Sequence, residues 1–228
     1  MTDFEEIDNL YKSGKSEESF NLMKSAYEKN PNDPETIYRM ARNYRDMSSF
    51  IGVKDKQKSQ EYLMKGYSVI EQGKQLFPEN GEISKWYGCL LDLKSRLEGI
   101  NVRIKNSFIV KENLELAAKQ LPDDFLANHS MGVWHYEVAN IPYTSRLFAK
   151  TLFSNPPTSS YDQALPYLQK AYEVSKDKPY PGNLVYLAKC HYNLKDRQKS
   201  KMFANMVLQL PGNDLDTIEA KAEAKSYA

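Results

Sequence analysis

Two cysteines in 228 residues, Cys89 and Cys190, are too few for a disulfide framework, and both fall within helical patterns, as expected of a protein kept in a reducing compartment. Three histidines and those two thiols would make a metal site only if distant helices converged. Cys190 and His191 are adjacent, so on a helix they point about 100° apart. No apolar run approaches the roughly 18 residues that a membrane span needs, and the amino terminus, Met1-Thr2-Asp3-Phe4-Glu5-Glu6, is acidic where a targeting segment would be basic. The expectation is a cytosolic protein without a transmembrane segment. Asn128-His129-Ser130 has the spacing of a glycosylation acceptor, and in a cytosolic chain that spacing is chance. A formal net charge of +1 removes any bulk electrostatic case for nucleic acid, so charge must act locally. Gly-rich phosphate loops, dinucleotide fingerprints, zinc-protease helices and Cys-x2-Cys pairs are all missing. Asp123-Asp124 has the look of a carboxylate pair, yet it follows Pro122 where a helix should begin and reads as a cap. Neither catalysis nor a cofactor is expected.

What the chain does contain is a period. The tetratricopeptide repeat, ~34 residues long, places large and small residues at fixed spacings on two helices and often closes with proline. Leu184, Leu187, Ala188 and His191 take the first-helix positions of the last unit, and Ser200, Ala204 and Val207 the second-helix ones, with Pro211 one residue early. Earlier first helices show Phe4, Ile7 and Tyr11; Ile37, Met40, Ala41 and Tyr44; Tyr87, Gly88 and Leu91; and Met131, Gly132 and His135. Their partners carry Ser19, Met23, Ala26 and Pro31; Gly66, Ile70, Gly73 and Pro78; Val110, Leu114, Ala117 and Pro122; and Ala164, Leu168 and Ala171. Asp8 breaks the small-residue rule in the first unit. Small residues let helices approach, and large ones fill the gaps between pairs. The expected fold is all-α: a tetratricopeptide-like solenoid of about five helix pairs plus a C-terminal capping helix between Asp214 and Tyr227, forming a single superhelical domain over residues 1–228.

The spacing between the two helices of a pair is uneven. From the last first-helix anchor to the first second-helix anchor it is 8 residues in the first repeat (11 to 19) and 9 in the last (191 to 200), but 22 (44 to 66), 19 (91 to 110) and 29 (135 to 164) between them. Insertions are therefore expected around 46–60, 93–106 and 140–160, all emerging from one edge of the stack. In the longest, Tyr143, Leu147, Phe148 and Leu152 would share a helical face, with Thr144 as a cap. That face would either plug the hollow of the superhelix or meet a ligand or membrane.

Three stretches add a specific likeness: Lys85-Trp86-Tyr87-Gly88, the run Leu147-Phe148-Ala149-Lys150-Thr151-Leu152-Phe153-Ser154-Asn155-Pro156-Pro157-Thr158-Ser159-Ser160, and Leu187-Ala188-Lys189-Cys190-His191-Tyr192. With these, nearly the whole chain resembles the regulator of microtubule dynamics family. The resemblance implies a helical repeat domain that associates with microtubules and the spindle, with tubulin as partner and a place in the cytoplasm and cytoskeleton. Some members carry an amino-terminal membrane anchor and act at contacts between the endoplasmic reticulum and mitochondria. The resemblance there implies a repeat domain that binds phospholipid. This sequence is read as having no such anchor.

Two surfaces are candidates for binding. Turns within repeats gather cations, namely Lys54, Lys56 and Lys58, then Arg96, Arg103 and Lys105, then Arg146 and Lys150, while turns between repeats gather acids such as Asp33, Glu79, Asp123 and Asp214. Helix dipoles explain part of this, but they favour acids where second helices begin, and Lys56, Lys58, Arg103 and Lys105 lie near those starts. The basic edge therefore reads either as a solvated rim or as a surface for an acidic microtubule or an anionic membrane. The concave groove should be lined by Arg39, Arg42, Arg45, Lys85, His129, Tyr136, Lys189 and Tyr192, cations and aromatics suited to an acidic peptide, to other spindle proteins or to a lipid phosphate. These side chains would otherwise pair with acidic neighbours. Phe4 and Asp8 stand where chaperone adaptors carry their carboxylate-clamping Lys and Asn, so binding of chaperone tails is not expected.

Overall fold

Small residues at regular intervals dictate helices that lie close together, and helices are what form. The computed structural model describes residues 4–52, 54–142, 157–212 and 214–228, and among these every regular element is helical. They divide into two compact units, Met1–Gln120 and Leu121–Ala228. The first holds α1 (Glu5–Lys12), α2 (Ser16–Lys29), α3 (Pro34–Gly52), α4 (Lys56–Leu76), α5 (Gly81–Glu98) and α6 (Ile100–Gln120). The second holds α7 (Phe125–Ala139), α8 (Tyr161–Val174), α9 (Pro181–Asn193), α10 (Arg197–Gln209) and α11 (Leu215–Ala224). Consecutive helices pack as hairpins, α1 with α2, α3 with α4, α5 with α6, α7 with α8 and α9 with α10, and α11 covers the last.

The helix boundaries follow local chemistry. Pro34 and Pro181 open α3 and α9, where a missing N–H costs nothing. Asp55, Asn80, Asp124, Asp196 and Asp214 accept hydrogen bonds from backbone N–H groups of the first turns of α4, α5, α7, α10 and α11. Ser160 forms a reciprocal capping box with Gln163 at the start of α8. Asp124 is thus a cap, while Asp123 pairs with Lys170 at 2.7 Å.

Second-helix anchors read from the repeat are buried, the closing prolines apart: Met23, Ile70, Ala117, Ala164, Leu168, Ala171, Ala204 and Val207 expose no measurable surface. In the second unit Ala164, Leu168, Ala204 and Val207 join Leu184, Leu187, Ala188 and Phe203 in one apolar cluster. Gly132 shows why small residues recur. A Cβ there would lie 2.6 Å from Leu168 Cγ, so α7 and α8 touch through a glycine.

The long spacings of the second and third repeats are taken up by helix rather than loop. The extra residues near 46–60 and 93–106 extend α3 and α4, and α5 and α6, to between 18 and 21 residues each. Beyond the apolar core, polar clasps hold these extensions together. Ser48 Oγ donates to the Ser59 carbonyl (2.8 Å) and Ser59 Oγ to that of Ser48 (2.7 Å), and Asn106 Nδ2 donates to Ser95 Oγ at 3.0 Å. The proposed face of Tyr143, Leu147, Phe148 and Leu152, with its Thr144 cap, lies outside the described residues.

Candidate functional site

Register within the first unit determines which side chains share an edge. On α4 and α5, Gly73 faces Ile83, Tyr67 stacks on Tyr87 and Gly66 faces Leu90, so the two helices are antiparallel and the start of α4 lies beside the end of α5. The bends α3–α4 and α5–α6 therefore lie on the same side of this unit. Lys54, Lys56 and Lys58 are exposed at the first and Lys105 near the second. Among the described residues none of these four ammonium groups has an ion-pair or hydrogen-bond partner. The arginines beside them behave otherwise. Arg96 and Arg103 converge on Asp92, at 2.8 and 3.1 Å, bracing α5 against α6. Arg146 and Lys150 lie outside the described residues.

Groove residues of the same unit are largely engaged internally. Asp8, on α1, accepts from Arg39 Nη2 at 3.0 Å and from Arg42 Nη2 at 2.6 Å, and Arg39 also pairs with Glu35 at 2.6 Å. The guanidinium of Arg39 lies 4.3 Å from the ring of Phe4, and that of Arg42 4.1 Å from Tyr11. Burial alone would raise the Asp8 pKa, but the hydrogen bonds and charges of the two arginines hold it below the ordinary carboxylate value. Lys85, buried, pairs with Glu82 at 2.8 Å. Arg45, half-buried, has no such partner among the described residues. Burial raises the pKa of the Tyr11 hydroxyl, with the positive charges of Arg42, Arg45 and Lys85 opposing the rise and the negative charge of Asp46 reinforcing it.

In the second unit His129 Nδ1 lies 2.9 Å from Asn183 Oδ1, with its ring stacked on Phe125 and edge-on to Tyr180 and Tyr186. Burial lowers its pKa, with Asn183 opposing. Lys189 reaches over the rings of Tyr186 and Tyr136, at 4.6 and 5.0 Å, and pairs with Glu223 of α11 at 2.8 Å. Tyr136 is buried, and burial raises its pKa. Tyr192 is exposed, with Arg197 3.4 Å above its ring and Tyr227 edge-on at 5.2 Å.

Sequence reasoning missed Asp8 as the partner of two groove arginines. Its signal was there: Asp8 stands in a small-residue position, 31 and 34 residues before Arg39 and Arg42, close to one repeat. Lys189 and Glu223 repeat the relation 34 residues apart (189 to 223).

Among the described residues no group of three or more His, Cys, Asp or Glu side chains is placed to hold a metal ion, and no helix is long and apolar enough to cross a membrane. The family model described as "Regulator of microtubule dynamics protein 1-3" matches residues 3–228. Regulator of microtubule dynamics protein 1 of Bos taurus is 31% identical over 96% of this chain and 68% of its own length. Regulator of microtubule dynamics protein 2 of Homo sapiens is 32% identical over 96% of this chain and 53% of its own. Among solved structures, a thermophilic tetratricopeptide-repeat protein of Thermus thermophilus aligns over 96% of this chain and 95% of its own, with a TM-score of 0.61 at 16% identity. That last likeness speaks for the fold alone.

Proposed function

We propose, from the premise that the chain belongs to the regulator of microtubule dynamics protein family, that it is a microtubule-associated interaction module docking through the lysine-rich edge of its first unit. The observation that carries this reading is the contrast between the two surfaces. Lys54, Lys56, Lys58 and Lys105 are exposed with no partner among the described residues, whereas Arg39, Arg42, Lys85 and Lys189 of the groove each have a carboxylate within 3.0 Å. An unpaired surface ammonium keeps its field for a partner, while a paired one has spent it internally.

The partner is the acidic surface of polymerised tubulin, and the module acts by binding rather than by catalysis, in the cytoplasm, on the cytoskeleton and at the spindle. Near a densely anionic surface each suitably placed cation contributes about 1 kcal/mol, so four or more together make a useful but salt-sensitive attachment. Arg45 of the first unit and, separately, Tyr192 of the second remain as positions for other spindle proteins. The alternative of an anionic phospholipid held in the groove is weaker, because its phosphate would have to displace carboxylates already seated there.

Cosedimentation with microtubules across a salt series tests the reading. The native protein should pellet at low salt and release as salt rises, and charge reversal of Lys54, Lys56, Lys58 and Lys105 to Glu should abolish pelleting. A folded reversed variant that pellets like the native protein would remove the edge from consideration.

A further inference from the structure

Beside the unpaired lysines stand side chains that a merely solvated rim would not need. Phe50 is 47% exposed at the end of α3, Leu97 48% exposed in the last turn of α5, and Ile100 65% exposed where α6 begins. Single exposed apolar residues are ordinary. Here three occupy the two bends that carry the lysines. Gly99, with φ of 102° and open space where a Cβ would be, turns the chain so that Ile100 opens α6 facing solvent. An isoleucine so placed contributes little to its own helix, being β-branched and unburied. The clasps of Ser48 with Ser59, and of Asn106 with Ser95, hold the ends of both hairpins so that the three side chains are presented on a fixed frame.

We infer that Phe50, Leu97 and Ile100 form an apolar contact surface that, interleaved with Lys54, Lys56, Lys58 and Lys105, seats on an acidic protein partner with apolar recesses beside its carboxylates. The inference rests on the proposed microtubule docking of the same edge and gives it a second component. The lysines supply attraction that salt screens, and the apolar residues supply burial that it does not. A protein surface fits these bends better than a bilayer does. Neither bend carries the tryptophan or tyrosine that favours a lipid interface.

Replacement of Phe50, Leu97 and Ile100 by Ser, compared with the lysine-to-glutamate variant in microtubule pelleting at several salt concentrations, separates the two components. The serine variant should bind about tenfold more weakly at every salt concentration with an unchanged salt slope, and the lysine variant should lose the slope. If the serine variant binds like the native protein while the lysine variant is impaired, the apolar surface is refuted and the docking edge stands. If the native protein does not pellet at all, both fall. Should the serine changes abolish binding to phosphatidylserine vesicles and leave microtubule pelleting intact, the apolar surface belongs to a membrane and the inference is overturned. Circular dichroism establishes folding. If the triple variant does not fold, Ile100→Ser alone decides: weaker pelleting supports the surface and unchanged pelleting refutes it.

Discussion

Asp8 shows how one carboxylate can set the charge of a groove. It holds Arg39 and Arg42, whose side chains are only 11% and 10% exposed, and removing it leaves Arg42 without its carboxylate and Arg39 with Glu35 alone, both largely away from water. Asp8→Ala should therefore destabilise the first unit by about 2 kcal/mol, less than for a fully buried pair because Asp8 itself meets solvent. Urea denaturation of native and variant proteins measures this, and an unchanged midpoint would mean that water solvates the arginines equally well. Two histidines make a different prediction. His129 and His191 both have pKa values lowered from the ordinary 6.5, mainly by burial, with Asn183 opposing in the first case and Asp196 in the second. The unfolded chain, with ordinary imidazoles, therefore takes up protons first as pH falls, and stability should decline below about pH 6.5. Asp8 and Asp214 have lowered values, so their contribution is complete above the ordinary carboxylate pKa and is lost only as pH falls below it, near 4. Melting temperature against pH should thus fall in two stages, and replacing both histidines by Gln should flatten the first. Cys190 is buried and its thiol is pushed up to about 12, so in a Cys89→Ser background it should resist a disulfide reagent until the protein unfolds.

At the level of helices, close approach is the controlling quantity. Gly132→Val would force a side chain against Leu168 Cγ and against the Leu168 backbone nitrogen, 3.1 Å from where a Cβ would stand. Overpacking of this kind should cost about 1–3 kcal/mol, offset slightly by the gain in helix propensity, and thermal unfolding should register it. A variant as stable as the native protein would show that α7 and α8 can separate freely. This helix-to-helix grammar was legible in the sequence because small residues at tetratricopeptide spacing have no other common reason to recur. Met23, Ile70, Leu114, Leu168 and Val207 were all placed in the core from spacing alone, and they lie there. The cross-helix partners were less legible. That Asp8 meets two arginines, or that Glu223 meets Lys189, depends on the offset between parallel helices in adjacent hairpins, which spacing gives only to within a turn. The extensions of α3 to α6 were also obscure, since extra residues between anchors look alike whether they coil or loop out. Polar residues that pair across the hairpins, Ser48 with Ser59, Asn106 with Ser95 and Arg103 with Asp92, mark them as packed helix.

On the scale of the whole molecule, the near-zero net charge conceals a division of labour that ionic strength can expose. Pairs such as Asp8 with Arg39 and Arg42, and Glu82 with Lys85, are largely shielded from solvent and lie within hydrogen-bond distance, where dissolved ions screen weakly. Lys54, Lys56, Lys58 and Lys105 project into water, where the Debye length of about 8 Å at physiological salt governs their reach. Folding stability and partner binding should therefore respond to salt in opposite proportion. Raising sodium chloride from about 0.05 to 0.3 M should shift the melting temperature little, while microtubule binding should weaken by roughly tenfold or more, as several screened contacts are lost together. Parallel thermal melts and pelleting assays in the same buffers make the comparison. If melting falls as steeply as binding, the edge lysines are stabilising the fold through long-range attraction to the acidic turns. The salt sensitivity of binding would then report partial unfolding rather than docking.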